Sequence, residues 1–101
     1  MNAARAAWIQ SAAIKQMPEE LAYLPKEFAI EIDGVARELN IELSTVKTHA
    51  ELAVAMANAI DDSAVKVRFC NDYDAIVITS VSSSVRCRGA LSEALMMKNY
   101  F

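Results

Sequence analysis

The sequence is short of the residues that punctuate, staple or activate a chain. Two glycines, two prolines, two cysteines, one histidine and one tryptophan stand among 101 residues. Two glycines, Gly34 and Gly89, do not make a glycine-rich phosphate loop. The single histidine, His49, has no neighbours at zinc-ligand spacing. Cys70 and Cys87 form no paired-cysteine motif, and without a secretory leader they read as free thiols of a cytoplasmic protein. No run of about eighteen apolar residues offers a membrane span. The early apolar stretch is interrupted by Gln10, Lys15 and Gln16 and does not read as a signal peptide. These shortages set the expectation of a chain that is not an enzyme, carries no cofactor or metal and does not enter a membrane. Asp72 and Asp74 flank Tyr73 as turn chemistry, and the Ser82–Ser83–Ser84 triplet reads as a turn.

What is present is apolar and mildly acidic. Apolar residues make up 54% of the chain, enough for a core, and the net charge is -3. A negative balance disfavours indiscriminate binding to nucleic acid. The length points to one domain over residues 1–101. Many of the apolar residues are alanines, so a thin core is expected, and a homodimer would reinforce it.

Residues 2–16 are predicted as a helix, capped by Asn2, with Trp8 and Ile9 as interface candidates. Pro18, Glu19 and Glu20 open a second short helix with Leu21 and Leu24 inward. Phe28, Ile32, Val35 and Leu39 recur at helical spacing, which predicts a helix over 26–39, although FAIEI also alternates as a strand does. Gly34 inside such a helix costs about 1 kcal/mol. A long helix is predicted from Leu43 to Ile60, apolar almost all round, with Leu52 and Met56 as further interface candidates. The period changes to two at Val65, Val67 and Phe69. AIVIT at 75–79 follows after a four-residue turn, which predicts an antiparallel hairpin. Residues 85–88 are a third candidate strand, 90–98 a terminal helix, and Tyr100 and Phe101 a docked tail.

Residues 32–49 carry a resemblance. Val35, Ala36 and Leu39, then Asn40 and Ile41, then Ser44, Thr45, Val46, Lys47, Thr48 and His49 resemble the helix-turn-helix of LuxR-type response regulators and of the C-terminal DNA-binding region of sigma factors. That resemblance implies a recognition helix whose N-terminal residues meet base edges while others meet phosphates. The DNA contacts it implies are Arg37, Ser44, Thr45, Lys47, Thr48 and His49, with Val46 in the core. The sequence departs from the pattern at Glu42, where a capping serine is usual, and at Glu51, Leu52 and Ala53, where basic residues are frequent. Residues 27–60 also hold six acids against two bases. An alternative basic face is offered by Lys66 and Arg68 together with Arg86 and Arg88, should their strands be neighbours.

The resulting expectation is an α+β fold: a helical part over 2–60 with a helix-turn-helix-like core, then a small antiparallel sheet and a short terminal helix over 64–101. The function expected from it is a small DNA-binding transcription regulator acting on double-stranded DNA. The alternative is an acidic protein-interaction module, an inhibitor or adaptor, that keeps the helix-turn-helix shape and binds a protein partner instead.

Overall fold

Asp33 and Gly34 turn the chain where a helix was expected to run. Both have positive φ, 51° and 82°, the pairing that a two-residue type I′ hairpin turn requires. The residues on either side become strands that pair from Ile32–Val35 down to Glu27–Asn40 without a bulge. Alternation then governs burial: Phe28 and Ile30 point into the core, while Glu27, Ala29 and Glu31 point away from it.

The computed structural model describes residues 7–80 and 84–100, with side chains over 8–80 and 84–98. Among these, the elements run β1 (Ala7–Gln10), a 3-10 helix (Pro18–Tyr23), β2 (Glu27–Ile32), β3 (Val35–Asn40), α1 (His49–Ile60), β4 (Val65–Cys70), β5 (Ala75–Ser80), β6 (Val85–Arg88), α2 (Ala90–Ala94) and β7 (Lys98–Tyr100). Two antiparallel sheets result. Sheet A has the order β4-β5-β1-β7 and sheet B the order β3-β2-β6. Strands and helices interleave along the whole chain, and three strands separate α1 from α2.

This architecture overturns the expected helical half. Residues 7–10 of the predicted first helix are a strand in the middle of sheet A, between β5 and β7; residues 2–6 of that prediction lie outside the described residues. The predicted helix over 26–39 is the β2–β3 hairpin. The helix expected from Leu43 starts only at His49. The terminal helix ends at Ala94 and is followed by β7, which pairs Tyr100 with Trp8; Phe101 lies outside the described residues, as does most of 81–84. The hairpin read from Val65 to Thr79 is present, in register from Val65–Ser80 to Cys70–Ala75. The short helix at Pro18 is present as a 3-10 turn, with the Met17 amide bonded to the Glu20 carboxylate at 2.7 Å and Leu21 and Leu24 buried.

With strands through Val35 and no pair of adjacent helices, residues 32–49 are not a helix-turn-helix. The resemblance rested on residue types that also suit a hairpin followed by a capped helix. The DNA-binding regulator and the acidic module of helix-turn-helix shape both fall with it.

The helix boundary has a local cause. Thr48 is extended (φ −138°, ψ 160°), and its hydroxyl accepts from the Glu51 amide at 3.1 Å. Glu51 reaches back to accept from the Lys47 amide at 2.8 Å, a variant of the reciprocal cap that starts helices. Leu52, Ala53, Met56 and Ile60 then face inward, with α1 packed chiefly on β4. They join Ile9, Phe28, Ile30, Ile76, Ile78 and Leu91 in one core shared by the two sheets.

Candidate functional site

The residues expected to touch DNA are dispersed. Arg37 lies on β3. Ser44, Thr45 and Lys47 are exposed in the connection before α1. Thr48 caps α1 and His49 opens it. His49 is tied inward: its Nε2 lies 2.9 Å from the Gln16 carbonyl oxygen, and its ring stacks on Phe69 at 5.2 Å and 21°. No helix presents these side chains together.

The interface candidates divide. Ile9, Leu52 and Met56 have no exposed surface and fill the core, whereas Trp8 stays partly exposed. The basic residues divide as well. Lys66 and Arg68 stand on β4 in sheet A, and Arg86 and Arg88 on β6 in sheet B, so the strands are not neighbours. Arg88 meets Glu31 at 3.6 Å in an exposed pair, a contact worth about 0–1 kcal/mol. Among the described residues no three His, Cys, Asp or Glu side chains gather as a metal site. No helix among them is long and apolar enough to cross a membrane.

The feature that stands out is one that sequence reasoning missed, the outer edge of β3. The hydrogen-bond phase of sheet B is set by two bonds beyond the strands, Ile41 N–H to the Lys26 carbonyl and Asp33 N–H to the Ser84 carbonyl, both 2.9 Å. Antiparallel ladders alternate, so Ile30–Arg37 and Phe28–Leu39 are the bonded pairs. Ala36, Glu38 and Asn40 therefore direct their N–H and C=O groups outward, where sheet B has no further strand among the described residues. β3 has no buried residue, and Val35 is 64% exposed. It contains no proline, lysine or bulge, and the devices that blunt it are the charges of Arg37 and Glu38. The Asp33–Gly34 pair between alternating apolar residues was the legible signal for this strand.

Beside the end of β3 runs a trough of about 480 Å³. One wall is formed by Asn40, Glu42, Thr45 and Val46. The other is a stripe of α1 made of Glu51, Val54, Ala55, Asn58 and Ala59. The Glu42 Oε1 accepts from the Ser44 hydroxyl at 2.5 Å and from the Ser44 amide at 3.1 Å. These bonds hold its carboxyl below the ordinary range, so it stays ionised. A second groove of about 450 Å³ lies between residues 12–16 and 94–96. There the backbone is already engaged: the N–H groups of Ser11, Ala12 and Ile14 bond to the carbonyls of Ile76, Leu95 and Asp74.

Cys70 and Cys87 are both unpaired. Burial pushes the Cys87 thiol up to about 12, so it is no nucleophile at neutral pH.

No protein-family model matches the chain, and comparison with characterised proteins and with solved structures likewise gives no match, so the site rests on its own geometry.

Proposed function

We propose that this chain is a protein-recognition domain that takes up an extended segment of a partner protein as an added strand alongside β3. The observation that carries this reading is the open edge: Ala36, Glu38 and Asn40 present backbone donors and acceptors in strand geometry, with no strand beyond them among the described residues. Main-chain hydrogen bonding supplies affinity in this mode of recognition, and the side-chain surroundings supply selectivity. The role is binding rather than catalysis. It needs neither a groove-reading helix nor attraction to phosphates. The unpaired state of both cysteines supports a reducing, cytoplasmic setting.

A second copy of this chain is a poor occupant. The two antiparallel registers that overlap β3 most fully set Arg37 opposite Arg37 or Glu38 opposite Glu38. Like charges placed directly opposite destabilise a pair of strands. A partner of different sequence avoids that repulsion.

The test begins with selection from a displayed library of random short peptides. The selected peptides are then titrated into the isotopically labelled full chain. The expected result is that the amides of Ala36, Glu38 and Asn40 shift and become protected from hydrogen exchange. Glu38→Pro removes an outward N–H and leaves the ladder to β2 intact. It is expected to abolish binding while the melting temperature changes little. Failure to select any peptide, or perturbation confined to surfaces away from β3, overturns the reading.

A further inference from the structure

We infer that the segment captured at β3 carries a lysine or arginine just beyond its paired residues, and that the trough beside α1 receives this cation. The inference rests on the strand-addition reading above. Asn40 joins the two features, since it ends the free edge of β3 and also lines the trough. A strand laid along Ala36–Glu38–Asn40 and prolonged past Asn40 runs into that space.

The trough has the chemistry of a long basic side chain turned inside out. Val46, Val54 and Ala55 offer an apolar surface, and Val54 is 56% exposed despite its place on a packed helix. Glu42 and Glu51 stand over that surface, and no lysine or arginine lines it. One oxygen of each carboxylate is already held by the chain: Glu42 Oε1 by Ser44, and Glu51 Oε1 by the Lys47 amide. These bonds fix one oxygen of each group, and the second oxygen of each has no hydrogen-bond partner among the described residues, although Lys26 already lies close enough to Glu42 to favour its charge. A lysine or arginine lays its methylenes on apolar surface while its charged end stays among polar groups. An acidic residue in the same place meets two like charges. An aromatic one covers two carboxylates and offers them nothing.

Three synthetic peptides test this with the full chain. They share a core of alternating threonine and valine and differ only in carrying lysine, glutamine or glutamate at both ends. The lysine-ended peptide is expected to bind about five- to tenfold more tightly than the glutamine-ended one, as two partly exposed ion pairs allow. The glutamate-ended peptide is expected to bind weakest. Raising the salt concentration narrows the spread. In a Glu42→Gln/Glu51→Gln variant, whose amides still accept from Ser44 and Lys47, the lysine-ended peptide drops to the affinity of the glutamine-ended one. Equal affinity of all three peptides with the β3 amides still shifted overturns the inference and leaves strand capture standing. So does a lysine preference that survives in the double variant. Absence of binding by all three, with no shift at Ala36, Glu38 or Asn40, removes strand capture and the inference together.

Discussion

At the scale of single residues, chemistry in this chain follows from what surrounds a side chain more than from its type. His49 looks from its sequence neighbours like a recognition-helix residue. In place, its ring lies on Phe69 and its Nε2 donates to the Gln16 carbonyl, which can only accept. It thus ties the chain before the 3-10 helix to the start of α1 and to β4. Cys87 is a second case. Its folded thiol titrates near 12, above its ordinary value of 9.0, because burial disfavours the thiolate. The stabilisation tied to that raised value is complete below 9.0 and is lost as pH rises from there toward 12. Urea unfolding from pH 8 to 11 is therefore expected to show a steeper loss of stability in the native chain than in Cys87→Val. At pH 8 a thiol reagent is expected to modify Cys70 well before Cys87.

Single elements show how far the sequence could be read. The β4–β5 hairpin was plain, because β4 alternates, β5 is a short apolar run rich in β-branched residues, and a four-residue turn joins them. The β2–β3 hairpin was hidden, because Phe28, Ile32, Val35 and Leu39 satisfy both periods. The decisive pair was Asp33–Gly34, which makes a type I′ turn inexpensive and a continuous helix costly. The start of α1 was legible in Thr48 and Glu51, yet the apolar run from Leu43 drew the boundary too early. Ile41, Leu43 and Val46 are buried by the connection itself, which makes one turn, closed by the Val46 amide on the Leu43 carbonyl at 3.0 Å, and no helix. The trough could not have been seen beforehand, since its two walls meet only through the packing of α1. The two glycines give a prediction at this scale. Both have positive φ, but a Cβ on Gly34 meets nothing within 4 Å, whereas one on Gly89 lies 3.0 Å from the Glu27 oxygen and 3.2 Å from the Phe28 Cα. Gly34→Ala is expected to cost about 1–2 kcal/mol from backbone strain alone. Gly89→Ala adds collision with β2 backbone and is expected to cost about 3 kcal/mol or more. Denaturant midpoints of the two variants measure the difference.

At the scale of the molecule, the organising strand is β1. It is only four residues long, yet it joins β5 to β7 and sends Ile9 into the shared core with no exposed surface. Ile9→Ala is accordingly expected to lower stability by about 2–5 kcal/mol. Loss of hydrogen-exchange protection should then spread across β5 and β7 together instead of staying at the site, which amide exchange measures residue by residue. β1 also makes its pairings across most of the chain, so local contacts contribute little to closing sheet A. Slow folding follows for a chain of this size.

The pairing of Trp8 with Tyr100 has a consequence of its own. Directly opposed residues in antiparallel strands lie about 4.5–5.5 Å apart, so polypeptide attached outside β1 and polypeptide attached outside β7 set out from the same spot. Such a unit can hang from a single loop of a larger host like a bead on a short stalk, without prising the host apart.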